Sequence, residues 1–222
     1  KMFISKIVKL PVSDFGMPKF EIKIRWILIA ILLPCIIKGI YVLIFNGEYV
    51  SSNMNGNEIF NTLSAGVAFT GIAAGFVEEM VFRGVILNAL KKRWNIKVAV
   101  IVPSMLFGIV HVLGQDFSIG SCLLVIIAGT MVGVMFSMIA IESGSVWNSG
   151  IVHAIWNIVI IGGGLAIGEK MDPYSVMTYV LDSKVFAITG GEFGIESSVI
   201  SLIGYIIVAG IAFIMIKSNR KN

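Results

Sequence analysis

The 222 residues are 57% hydrophobic and only 14% charged, with 17 Lys and Arg against 13 Asp and Glu, a net charge of +4 and a mean hydropathy of +0.93. That is too apolar for a soluble domain, which must cover its core with polar surface, and it makes lipid the solvent. The positive charge gathers in clusters beside apolar runs, which suits anionic lipid head groups and speaks against a nucleic-acid partner.

In chain order, residues 1–25 read as an amphipathic segment carrying Lys1, Lys6, Lys9, Lys19, Lys23 and Arg25. No cleavable signal is expected, because the first apolar run starts only after this segment and has full span length. Spans are expected at 26–45, 58–90, 98–113, 117–140, 145–167 and 197–216. A helix crosses a hydrocarbon layer of ~30 Å in about 20 apolar residues, and the alternation of barrel strands is not evident. The expected fold class is therefore all-α, a polytopic membrane helix bundle of about six transmembrane helices. It forms one domain over 26–216, followed by a short tail, 217–222.

Lys91, Lys92, Arg93 and Lys97 lie after the second span and Lys217, Arg220 and Lys221 in the tail, so that with the N-terminal segment 13 of the 17 basic residues fall on one side. The opposite loops, 46–57 and 168–196, hold Glu48, Glu169, Asp172, Asp182, Glu192 and Glu196 against Lys170 and Lys184. Cytoplasmic loops retain Lys and Arg, so both termini are expected in the cytoplasm of a multi-pass cell-membrane protein. The long loop 168–196 has room for one amphipathic turn, such as 173–182.

Within the spans, Gly71 with Gly75 and Gly129 with Gly133 have the spacing that lets helix backbones approach closely. Cys35 and Cys122 read as packing residues rather than a disulfide, and Lys38 is expected to extend its amine toward an interface.

Ionisable side chains at bilayer depth cost roughly 2.5–3.5 kcal/mol even on lenient scales. Glu78, Glu79 and Arg83 nonetheless fall within six positions of one apolar helix, and both histidines of the chain, His111 and His153, fall in other spans. Residues four apart share a helix face, which pairs Glu79 with Arg83, Phe107 with His111 and His153 with Asn157. An ion pair from Glu79 to Arg83 would leave Glu78 the freer carboxylate. Counted from the basic ends at 1.5 Å per residue, Glu78, His111 and His153 lie about 20, 21 and 16 Å deep, so three spans bring polar residues to a similar level. A continuous helix from Glu58 to Lys91 would be about 50 Å long, so a break or strong tilt is expected near Gly71–Gly75.

These residues resemble the motifs of the CAAX protease and bacteriocin-processing family, also called Abi, which includes the type II prenyl-protein endopeptidases. Glu78-Glu79-xxx-Arg83, Phe107-xxx-His111 and His153-xxx-Asn157 occur in the family's order, each on its own helix, across a core of about 80 residues from Glu78 to Asn157. The resemblance implies an intramembrane protease in which Glu78 and His111 activate a water molecule and His153 and Asn157 stabilise the oxyanion. Glu79 and Arg83 would hold the site together, with Phe107 in support. It also implies a cavity open toward the cytoplasm and laterally to lipid.

Family members include metal-dependent and glutamate proteases. The cofactor is therefore either none or zinc, which Glu78, His111 and His153 would hold; the reading leans toward the metal-free form. The expected partners are membrane lipids and a short peptide or protein precursor, and the compact chain reads as bacterial. Three competing readings are a polar network that only locks helices together, an ion-coupled transporter, and a non-catalytic bacteriocin-immunity or scaffold protein of the same fold. The transporter is disfavoured because inverted repeats with interrupted helices are not visible.

Overall fold

The computed structural model describes residue 17 and residues 20–219. Most of the amphipathic segment expected over 1–25, and residues 220–222 of the tail, lie outside the described residues. Six long helices follow: α1 (Ile24–Ile44), α2 (Gly56–Arg93), α3 (Ile96–Val110), α4 (Ile119–Ser143), α5 (Val146–Ile161) and α6 (Val199–Asn219). By length and composition α1, α2, α4 and α6 can each cross a membrane, whereas α3 and α5 are shorter apolar helices of 15 and 16 residues. The chain is thus an all-α membrane bundle whose two shorter helices carry the histidines.

Helix starts follow local chemistry. Asn55 accepts hydrogen bonds from the Asn57 and Glu58 amides while the Glu58 carboxylate accepts from the Asn55 amide, a capping box that opens α2. Asn95 caps α3, Ser118 caps α4 and Ser145 caps α5. Inward stripes at helical spacing, such as Trp26, Ala30, Leu33, Ile37 and Tyr41 on α1, face the bundle, while Leu28, Ile31, Leu32 and Ile36 face outward as a lipid-facing side should. Helix α4 supplies the centre of the core with Val132, Met135, Phe136 and Ile139.

Both described ends of the chain meet at one end of the bundle. Glu142, near the end of α4, accepts from Arg25 and from Trp26 Nε1 at 2.9 Å, and Asn219 Nδ2 stands 3.5 Å from it. Asn148 ties residues 21 and 23 to the start of α5.

Glycines set the closest helix approaches. A Cβ on Gly133 would lie 2.8 Å from Ser104 Cα, one on Gly129 2.6 Å from Gly108 Cα, and one on Gly75 2.8 Å from the Ala154 backbone. These contacts seat α3 against α4 and α2 against α5, in line with the packing role expected of Gly75, Gly129 and Gly133.

Three expectations need correction. Helix α2 is not broken near Gly71–Gly75; it runs unbroken and widens into π-helix over Gly66–Ala74 and Met80–Ile86, leaving α-helix at Gly75–Glu79. Its excess length lies instead in the polar first turns, Gly56–Ala65, which bury no residue. The region expected to form a turn over 173–182 holds a strand. Strands β1 (Gly47–Ser51), β2 (Leu165–Gly168) and β3 (Met177–Leu181) form a sheet in the order β1-β3-β2, with β1 antiparallel and β2 parallel to β3. The span expected to run to 167 stops at Ile161, because Gly163 takes φ +80° and turns the chain into β2. The Lys38 amine donates to the carbonyls of Val159 and Leu165, one near the end of α5 and one opening β2. Cys35 and Cys122 are free thiols.

Candidate active site

The α-helical stretch Gly75–Glu79 lies between two π turns, so the acidic pair emerges where the helix register shifts, an arrangement frequent at functional sites. Glu79 points into the bundle. Its Oε1 pairs with Arg83 Nη1 at 2.6 Å, and both side chains are fully buried. Arg83 also donates to the Gly133 carbonyl at 3.1 Å, and its guanidinium lies 4.6 Å from the Phe107 ring centroid and 5.2 Å from that of Phe136. A buried ion pair is tolerable only with such added partners. Glu78 takes no part in this pair, as expected; its side chain is one-third exposed, and its Oε2 has no hydrogen-bond partner among the described residues.

His153 stands between the two carboxylates. Its Nδ1 donates to Glu79 Oε1 at 3.2 Å, and its Nε2 lies 3.8 Å from Glu78 Oε2, too far for a direct hydrogen bond. Phe136 stacks on the imidazole, with centroids 4.5 Å apart and planes 18° from parallel, which fixes the ring.

His111 follows the last residue of α3, where the chain turns out of the helix. Its Nδ1 donates to the Phe107 carbonyl at 2.6 Å, one helical turn back. A carbonyl only accepts, so Nδ1 carries the proton and Nε2 of the neutral ring is an acceptor. Phe107 separates the two histidines, with its ring centroid 4.5 Å from His111 and 5.9 Å from His153. Asn157, one turn beyond His153, donates one amide hydrogen to the Thr70 carbonyl at 2.9 Å, within the first π stretch.

Glu78, His111, His153, Asn157 and Phe107 line one cavity of about 170 Å³, while Glu79 and Arg83 support it from behind. Three of its walls were not foreseen: Phe136, Trp156 and Glu196. The first two look like ordinary core residues in sequence, and Glu196 looks like loop charge.

Glu196 sits in a short turn before α6 and accepts from Trp156 Nε1 at 3.2 Å. Burial pushes its carboxyl up to about 7, against the Trp156 hydrogen bond and the His153 imidazole, which draw it down. Glu192, fully exposed, goes the other way, because Ser121 and Ser118 hydrogen-bond its carboxylate.

A second, wider cavity of about 740 Å³ adjoins the first and shares Ile161, Phe193 and Glu196 with it. This vestibule lies among β2, the loop after it and the turns before α6, at the end of the bundle opposite Arg25, Arg93, Lys97 and Lys217. In this fold the basic end and the vestibule face opposite sides, so termini in the cytoplasm and a cytoplasmic mouth exclude each other.

Zinc would require Glu78, His111 and His153 to converge. Among the described residues no three His, Cys, Asp or Glu side chains stand as a group that could hold a metal ion.

Residues 60–159 match the family model of the type II CAAX prenyl endopeptidase Rce1-like proteins. No curated protein and no solved structure matches the chain. The match takes in every motif residue from Glu78 to Asn157, so this stretch of the membrane protein is similar to the type II CAAX prenyl endopeptidase Rce1-like family.

Proposed function

We propose that the protein is an intramembrane endopeptidase that hydrolyses a peptide bond of a short peptide or protein precursor at Glu78, without a metal. The observation that carries this reading is the convergence of Glu78, His111, His153 and Asn157, from three helices, on one cavity large enough for a water molecule and a peptide group.

Glu78 Oε2 is a free acceptor, and His111 Nε2 is an acceptor because Nδ1 is committed to Phe107. A water molecule donating to both has its oxygen lone pair directed at the substrate carbonyl carbon. Attack forms the C–O bond while Glu78 takes the water proton. Negative charge then grows on the carbonyl oxygen; the second amide hydrogen of Asn157 is a donor for it, and His153, whose Nδ1 proton is held by Glu79, donates from Nε2 as the doubly protonated ring. Glu79 contributes by holding the His153 ring on Nδ1, and Arg83 holds Glu79 in place. Collapse of the intermediate breaks the C–N bond as Glu78 returns its proton to the leaving amine, giving a free carboxylate and a free amine.

The test is incubation of the purified protein in detergent with prenylated CAAX peptides and with bacterial leader or pheromone precursors, beside Glu78→Ala and His111→Ala. Wild type cuts at least one of them, and both variants lose about 10²–10⁴-fold in rate, the usual worth of a positioned acid–base group. Equal cleavage by all three proteins removes the proposed site. A folded wild type that cuts none of them favours the scaffold reading.

A further inference from the structure

One partly buried carboxyl is not used by this chemistry. Glu196 lies 37 residues beyond the family match, in the turn Ile195–Ser197. Two helices hold it. Trp156 of α5 donates to its side chain, and the Tyr205 hydroxyl of α6 donates to its backbone carbonyl at 2.9 Å. Trp156 and Tyr205 themselves pack edge to face with centroids 5.2 Å apart, so the carboxyl has a fixed place.

That place is the throat between the vestibule and the Glu78 cavity, which Glu196 shares with Ile161 and Phe193. Among the described residues, no Lys or Arg forms an ion pair with it. A carboxyl partly withdrawn from water is costly to ionise without a cation beside it. The Trp156 hydrogen bond does not account for a carboxylate here, because a glutamine oxygen would accept it equally well.

We propose that Glu196 is a specificity-determining residue that accepts the ammonium or guanidinium group of a Lys or Arg side chain in a peptide passing from the vestibule to Glu78. The inference rests on the endopeptidase reading and names a substrate class for it: peptides with a basic residue at a fixed distance from the cut bond. Ile161 and Phe193 supply apolar walls against which the methylene stem of such a side chain packs.

The test is a mixture of short synthetic peptides with randomised residues, cut by wild type, Glu196→Gln and Glu196→Lys, with the products sequenced by mass spectrometry. Wild type enriches Lys and Arg at one position relative to the cut by about tenfold, the worth of one partly buried charge pair. Glu196→Gln, which keeps the Trp156 bond, loses the enrichment but still cuts, and Glu196→Lys favours Asp or Glu at that position. A merely structural role would slow every peptide alike and leave the pattern unchanged.

Binding gives a second readout in the Glu78→Gln background. Fluorescein-labelled alanine–leucine peptides with a single central Lys or Glu are titrated by fluorescence polarisation, with and without Glu196→Gln. Tighter binding of the Lys peptide that disappears with Glu196→Gln supports the assignment even if wild type cuts nothing, in which case the endopeptidase reading alone fails. Cleavage with the same residue pattern in wild type and Glu196→Gln overturns the role of Glu196 and leaves the endopeptidase reading standing. Peptides neither bound nor cut overturn both.

Discussion

Placing a methyl group on Gly75 tests whether the contact between α2 and α5 sets the geometry of the site. A Cβ there would lie 2.8 Å from both the Cα and the N of Ala154. Carbon atoms in contact settle at about 3.5–4.0 Å, and because the opposing atoms are backbone, relief requires the helices to part by roughly 0.7–1 Å. Gly75 is one turn before Glu79, and Ala154 follows His153, so the displacement falls on the 3.2 Å hydrogen bond between them. Stretched to about 4 Å, that bond is lost and the imidazole is no longer held. Gly75→Ala should therefore reduce cleavage about 10²-fold, the cost of a misplacement near 1 Å. It should also lower unfolding stability in detergent by about 1–3 kcal/mol, as overpacking does. Gly39→Ala on α1, where nothing lies within 4 Å, is the control and should leave cleavage unchanged. A folded Gly75→Ala protein that cuts peptides at the wild-type rate would refute the argument.

Further outcomes follow from the same structure. Glu79→Gln leaves the Arg83 guanidinium buried without its carboxylate and should cost about 3–5 kcal/mol in chemical or thermal unfolding. Pairing it with Arg83→Met should recover part of that loss, and additive costs would speak against a coupled pair. Lys38→Met removes two donors from the carbonyls of Val159 and Leu165, so stability should fall by about 1–3 kcal/mol and amide exchange should quicken first in β2; uniform exchange would contradict this. Glu196, held at about 7 against an ordinary 4.5, keeps its proton longer in the folded than in the unfolded chain. The contribution of Glu196 to folding stability is therefore greatest below pH 4.5 and is lost as pH rises to 7, by an amount on the order of 3 kcal/mol. His153 and Glu78 act on the same group, so the comparison that isolates it is wild type against Glu196→Gln, whose difference should widen between pH 4.5 and 7 and then level off. In the metal-free mechanism, cleavage should survive dialysis against a chelator, whereas loss of activity restored by zinc would overturn it.

Several features are local enough to read along the chain. Apolar runs near span length make helices wherever they fall, because every backbone group in lipid has to be satisfied within its own segment. The pairing of Glu79 with Arg83 is an i, i+4 relation that helical geometry alone dictates, and it left Glu78 free as expected. The His111 bond to Phe107 joins the same two positions four apart. The small-residue pairs likewise announced close helix contacts, although which partner each glycine meets could not be read from them.

What only the tertiary structure decided involves groups far apart in sequence. The Glu79 to His153 bond spans 74 positions, and the Phe136 ring that fixes His153 comes from a helix outside the motifs. Strands of four or five residues carry too little pattern of their own; β3 exists because β1 and β2 pair with it on either side. The π turns of α2 and the carbonyl partners of Lys38 depend equally on what lies opposite them. Glu196 is the clearest case: along the chain it is one acid among several in a polar loop, and only the Trp156 and Tyr205 side chains, brought together from α5 and α6, hold it at the mouth of the cavity. Hydrophobicity and helical period determine which segments enter the membrane and which side chains share a face, but the meeting of those faces is a property of packing, in which no single segment holds the information.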